Sequence, residues 1–130
     1  MDVLVIDDAP SLGEALVDAL GRAGLTARVA SPADAVEAAL QGGGRLLVVD
    51  MDLTELQADR LLALLRSVDR LAAVKLVLAS SEDSATLERV AKSAGADGVY
   101  RKAQGHEVLV QLVLELLDSP HASGIRRRRS

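Results

Sequence analysis

The sequence predicts a doubly wound α/β fold: a five-stranded parallel sheet with helices on both faces. Three observations point there. Short apolar runs alternate with segments of helical period five times along the chain. The runs are continuously apolar rather than alternating, as strands are when buried on both faces. The chain has 130 residues, 49% of them apolar, which suffices for one domain and not for two.

The elements follow in order. Val3–Ile6 is the first strand, closed by Asp7 and Asp8. Ser11–Ala23 is a helix, because Leu12, Ala15, Leu16, Ala19 and Leu20 recur three and four apart; Gly21 and Gly24 offer its stop. Thr26–Ala30 is a weaker strand. Ser31-Pro32-Ala33-Asp34 carries the signs of a helix start, with Ser as cap, Pro in the first turn and an acid near the positive end of the dipole. That helix is expected to end near Leu40, since Gly42-Gly43-Gly44 continues it only at a cost. Leu46–Val49 is a buried strand ending at Asp50, and Leu56, Leu61, Leu62, Leu64 and Leu65 mark a third helix. Leu76–Ala79 is a strand ending at Ser80, Ser84–Ala94 a helix stopped by Gly95, and Gly98–Arg101 a strand leading to Lys102. His106–Leu117 is the last helix. Residues 1–118 form the domain, and residues 119–130 have no period and are expected to be a loose basic tail.

Composition removes several classes of function. The net charge is −4, and four of the 15 basic side chains are Arg126–Arg129, so the body is more acidic still, unlike a domain that coats nucleic acid. With no Cys there is no thiol nucleophile, disulfide or Cys-held metal. The two His residues, His106 and His121, stand far apart and are expected on the surface. One aromatic residue, Tyr100, makes no stacking platform. The apolar run at the start is four residues long and meets two acids, so no secretory signal is expected, and no run approaches the ~20 residues that cross a bilayer. A cytoplasmic protein is expected.

The placement of polar residues carries the function. Asp7-Asp8, Asp50, Ser80 and Lys102 each end a strand, and in a parallel sheet those ends share one edge. Open α/β sheets bind ligands outside that edge, where the strand order reverses. The second strand ends in Ser31-Pro32, a helix cap, which suits an outer position. Clustered carboxylates repel unless a cation sits between them, and Mg²⁺ suits oxygen ligands. A divalent ion beside a carboxylate, with an ammonium and a hydroxyl, is equipped for phosphoryl transfer. Asp50 is the nucleophile candidate, Asp7 and Asp8 being better placed for metal, and its product is an aspartyl phosphate.

Val3-Leu4-Val5-Ile6-Asp7-Asp8, Leu47-Val48-Val49-Asp50, Leu76-Val77-Leu78-Ala79-Ser80-Ser81 and Gly95-Ala96-Asp97-Gly98-Val99-Tyr100-Arg101-Lys102 together resemble the receiver domains of two-component response regulators, over about residues 1–118. The resemblance implies a flavodoxin-like (βα)5 fold with strand order 2-1-3-4-5. It implies that Asp50 accepts a phosphoryl group from a histidine kinase or phosphotransferase, with Mg²⁺ held by Asp7, Asp8, Asp50 and the backbone carbonyl of Asp52. Ser80 then swings toward the phosphoryl group and Lys102 pairs with it. The switched surface is the fourth helix, fifth strand and fifth helix, about Ser84–Leu117, facing an effector protein. By the same resemblance Asp52 and Glu82 are expected to flank the phosphoryl group and tune its hydrolysis, the other reading being ordinary exposed acids. The sequence also departs from the family: Thr54 stands where Pro is usual, Ala103 follows Lys102 where Pro is usual, and Val99 holds the position of the aromatic switch, with Tyr100 next to it. The phosphorylation site is intact, whereas the aromatic relay is not implied.

Two other readings use the same residues. Asp50-Met51-Asp52-Leu53-Thr54 resembles the D-x-D-x-T motif of haloacid-dehalogenase-like phosphatases, with Asp50 as nucleophile and Asp52 as acid/base. That family places its acidic metal pair after the Lys, whereas here the pair comes first, and no cap insertion is present to exclude water. A degenerate receiver that only docks a partner is the other. Arg126–Arg129 give at most weak, salt-sensitive contact with nucleic acid or anionic lipid, and no DNA-binding domain follows the receiver in this sequence.

Overall fold

A computed structural model describes residues 1–7, 10–42, 44–52, 55–68, 71, 74–81 and 84–118. The five strands are β1 (Val3–Ile6), β2 (Ala27–Ala30), β3 (Leu46–Asp50), β4 (Lys75–Ser80) and β5 (Gly98–Arg101). The helices are α1 (Pro10–Arg22), α2 (Ala35–Gly42), α3 (Glu55–Ser67), α4 (Ser84–Ala94) and α5 (His106–Asp118). All strand pairs are parallel, in the order β2-β1-β3-β4-β5. Each β-α-β step needs a crossover, and the winding reverses between β1 and β3, which opens a crevice at their carboxyl ends.

The continuous apolar runs make two cores because successive side chains leave opposite faces of a strand. Leu4, Ile6, Leu47, Val49, Leu76 and Leu78 face Ala35, Ala38 and Ala39 of α2, Leu61, Leu62 and Leu65 of α3, and Leu87 and Ala91 of α4. Val3, Val5, Leu46, Val48, Val77, Ala79 and Tyr100 face Leu16 and Leu20 of α1 and Leu109 and Val113 of α5. To this core α2 contributes small alanines and α3 contributes leucines.

Some boundaries differ from the sequence reading. The Ser31 cap is present, its hydroxyl accepting from the Asp34 amide, but the first turn, Pro32–Asp34, is a 3₁₀ turn ahead of α2. The α2 helix runs to Gly42 rather than stopping near Leu40, because glycine's penalty is small where a helix is already ending. β4 begins at Lys75 and includes Ser80, and β2 starts one residue later than expected. Thr26 instead brackets the start of the sheet: its amide donates to Asp2 Oδ2 and its hydroxyl accepts from the Asp2 amide, both at 2.9 Å. Gly24 and Gly95, with φ of 89° and 70°, end α1 and α4 in the left-handed conformation that glycine adopts without strain. The proposed tail, residues 119–130, lies outside the described residues.

Arg66, in the last turn of α3, ties three elements together. Its guanidinium donates to the carbonyls of Gly95 at 2.9 Å, Val74 at 3.2 Å, and Leu71 and Ala94 at 3.4 Å. The carbonyls at the end of α4 and at the entry to β4 thus find a cationic donor. Arg66→Ala is expected to lower stability by about 2–3 kcal/mol, because several part-buried carbonyls lose their partner at once. Urea denaturation checks this, and Arg66→Lys is expected to recover only part of the loss, since an ammonium lacks the planar fork.

Candidate functional site

The carboxyl edge of the sheet gathers the polar groups that end the apolar runs. Asp7 follows β1, Asp50 ends β3, Ser80 ends β4, and Lys102 follows β5. Asp7, Asp50 and Ser80 are buried at 4%, 5% and 0% exposure, and they are the buried polar side chains among the described residues. Buried polar groups without a role are costly, so their meeting at one edge marks this as the candidate site.

Each is fixed locally. The Gly13 amide of α1 donates to Asp7 Oδ2 at 2.9 Å. Gly13 itself packs against β2 so closely that a Cβ would lie 2.7 Å from a Val29 methyl. The absence of a side chain there lets α1 sit low enough to reach Asp7. After β3 the chain turns, the Asp52 amide donating to Asp50 Oδ1 at 2.9 Å and the Met51 amide to the Ala79 carbonyl at 2.7 Å. Lys102 opens a 3₁₀ turn, Lys102–Gln104, between β5 and α5, and its ammonium reaches back over the edge. The Nζ lies 3.0 Å from Asp50 Oδ1 and 2.7 Å from Asp52 Oδ2.

The electrostatics follow from burial and neighbours. Burial pushes the Asp50 carboxyl above the usual carboxylate range, and the adjoining Asp7 carboxyl adds to this, outweighing the Asp52 amide and Lys102. Partial burial acts on Asp52 in the same direction, but the hydrogen bonds from Lys102 and Ser81 prevail and hold it below the usual range. Burial works against the Lys102 ammonium, yet its bonds to Asp52 and Asp50 raise it above the ordinary lysine value. The site therefore joins a carboxyl whose ionised form is disfavoured by burial and a like neighbour to a firmly charged ammonium.

Asp7 adjoins Asp50, and Ser80 and Lys102 meet at Asp52, all on this one edge. Asp8, Thr54 and Glu82 lie outside the described residues. Among the described residues no group of three or more acidic, His or Cys side chains is gathered around a metal position. The donor set still fits Mg²⁺: two buried, adjoining carboxylates are hard oxygen ligands, and the Asp7 carboxyl raises the cost of ionising Asp50.

The side chain of Asp52 is the part the sequence reading missed. The sequence reading gives Asp52 a metal-facing backbone carbonyl and a charge that tunes hydrolysis, with no contact from its carboxylate to Ser80, Ser81 or Lys102. Its carboxylate in fact accepts from Ser80 Oγ at 3.1 Å, the Ser81 amide at 3.1 Å and Ser81 Oγ at 3.0 Å, besides Lys102. The available signal was two acids two residues apart after a strand, facing a Ser-Ser pair that ends the next. Tyr100 leaves β5 on the face opposite Val99. It pairs in register with Ala79 and is fully buried toward α1 and α5, whereas Val99 pairs with Leu78 and packs on the core beneath α4. Among the described residues the Tyr100 hydroxyl has no partner, and burial raises its pKa.

Comparison with known proteins finds the same architecture. The chain is similar to the chemotaxis protein CheY4 of Vibrio cholerae, at 19% identity and a TM-score of 0.79, over 88% of this chain and 96% of that one. It is similar to a response regulator from Thermotoga maritima, at 21% identity and a TM-score of 0.78, over 91% and 98%. A response-regulator signal receiver domain from Bermanella marisrubri gives 22% identity and a TM-score of 0.78, over 90% and 98%. No protein-family model matches the sequence, and no characterised protein matches it at the level of sequence. At these identities the likeness establishes the fold, that of CheY-like receiver domains.

Proposed function

We propose that the chain is a response-regulator receiver domain that works as a phosphoacceptor. It accepts a phosphoryl group on Asp50 from the phosphohistidine of a sensor histidine kinase or histidine phosphotransfer protein. The observation that carries this reading is the contact at 3.0 Å between Lys102 Nζ and Asp50 Oδ1, a buried acceptor at the edge where such folds bind ligands. An Asp50 carboxylate oxygen attacks phosphorus, the P–N bond breaks, and the imidazole nitrogen leaves with the bond's electron pair. Lys102 balances charge on the transferring oxygens, and Ser80 donates to one of them. Asp7, Asp8, Asp50 and the backbone carbonyl of Asp52 would hold Mg²⁺, which when bound supplies positive charge to the phosphoryl oxygens.

The proposed output surface is α4, β5 and α5. Lys102 lies on the connection from β5 to α5, and Ser80 ends the strand that leads toward α4. Val108 of α5 is 43% exposed and available to an effector protein. Because Val99 stands at the aromatic position, the output works without an aromatic rotamer change. Among the described residues no helix is long and apolar enough to cross a membrane, and a cytoplasmic site of action is part of this proposal.

The phosphatase reading asks Asp52 to act as an acid, yet Asp52 is held ionised by Lys102 and Ser81. A general acid near neutral pH needs the opposite shift. Incubation with acetyl phosphate and Mg²⁺ is expected to add one phosphoryl group per chain by intact-mass spectrometry, and EDTA to prevent it. Repeated turnover of a phosphate ester favours the phosphatase, and a chain that takes no label under either condition favours a docking-only receiver.

A further inference from the structure

We infer that the Asp52 carboxylate is an internal stand-in for the phosphoryl group: a latch that occupies Ser80, Ser81 and Lys102 in the resting chain and competes with phosphorylation of Asp50. The inference rests on the phosphoacceptor reading above and adds a regulatory contact to it.

Four donors converge on this one side chain. Lys102 Nζ lies 2.7 Å from Oδ2, where Ser81 Oγ also donates at 3.0 Å; Ser80 Oγ and the Ser81 amide both donate to Oδ1 at 3.1 Å. Lys102 and the Ser80 hydroxyl are the groups assigned to the transferred phosphoryl oxygens. A compact anion, acceptor-only and with more than one oxygen, is what such a set of donors selects, and an ionised carboxylate meets that description. Lys102 stands nearer to Asp52 than to Asp50, at 2.7 Å against 3.0 Å. Geometry favours the capture, since the turn that brings the Asp52 amide onto Asp50 Oδ1 also directs the Asp52 side chain toward the end of β4. A phosphoryl group arriving on Asp50 brings oxygens that need the same donors and a charge that repels Asp52. Phosphorylation then exchanges one acceptor for another, and the segment around Ser81 changes partner without any aromatic residue moving.

The test compares wild type, Asp52→Asn and Asp52→Ala. Asp52 lies in a turn, partly exposed, so thermal melts verify that all three fold. The first readout is the initial rate of labelling by phosphoramidate with Mg²⁺, in which a carboxylate oxygen displaces ammonia from phosphorus. Removing a competing set of charge-assisted hydrogen bonds is expected to raise that rate at least about threefold in Asp52→Ala, with Asp52→Asn between. The second is the Ser81 amide resonance without donor or metal, expected to shift upfield in Asp52→Ala as its charged acceptor is lost. Faster labelling together with that shift supports the latch. Equal or slower labelling in Asp52→Ala, while wild type labels and Asp50→Asn does not, overturns the latch and leaves the phosphoacceptor reading standing. An unmoved Ser81 amide overturns it as well. Failure of every variant to label overturns the phosphoacceptor reading and the latch with it.

Discussion

Asp50→Asn is expected to take up no phosphoryl group from acetyl phosphate under conditions that label the wild type fully. The amide keeps the size of the carboxylate and can still accept from Lys102 and the Asp52 amide, so the site stays packed. What it lacks is an anionic oxygen able to attack phosphorus. The same variant is expected to be more stable than wild type at neutral pH. Burial and the Asp7 carboxyl raise the Asp50 pKa in the folded chain above its ordinary value. In the window between those two values the folded state binds more protons than the unfolded one, and stability falls as pH rises through it. Above the window the ionised carboxylate is a standing cost that Asn removes, whereas below it wild type and variant converge. Thermal melts at pH 3 to 7 measure the difference. A variant that labels normally, or one less stable at every pH, contradicts this view of Asp50.

Lys102→Ala is expected to slow labelling by about 100-fold, the scale on which removing one fixed group that meets developing charge slows such reactions. The ammonium bridges both Asp50 and Asp52, and its own pKa is raised by doing so. Without it, Asp7, Asp50 and Asp52 crowd one edge with less positive charge, and the Asp50 carboxyl moves further above its usual range. Lys102→Arg keeps the charge but carries a wider, planar head, and is expected to recover only part of the rate. Initial rates at saturating Mg²⁺ distinguish a lost contact to the phosphoryl group from weakened metal binding. A rate within a few-fold of wild type contradicts the role given to Lys102.

Much of this was legible in the residues because a buried parallel sheet leaves a plain signature. Val3–Ile6, Leu46–Val49 and Leu76–Ala79 are apolar without a break, and each stops at a residue that no core would choose. Asp50, Ser80 and Lys102 therefore announced both the strand ends and the edge they share. The side on which Val99 and Tyr100 emerge follows from the two-residue period of a strand, once the register of Val99 with Leu78 is known. That register was the missing quantity. The Asp52 capture was harder to foresee because it depends on the shape of the turn after β3 and on where Ser81 points, and spacing alone constrains neither. Gly13 is similar: its role comes from a 2.7 Å approach to Val29 across two elements, and a glycine at that point in a helical pattern reads only as a weak residue. Arg66 gave no sign either, since a basic residue in the last turn of a helix ordinarily faces solvent and the carbonyls it serves are distant in sequence.

Chemical identification of the modified residue tests the central claim most directly. After labelling with acetyl phosphate and Mg²⁺, borohydride reduces an acyl phosphate to the alcohol, converting a phosphorylated aspartate to homoserine that peptide mass spectrometry can place. Homoserine at position 50, absent when the donor is omitted, is the expected result. Conversion at position 7 or 52, or a label on a serine that resists borohydride, would contradict it.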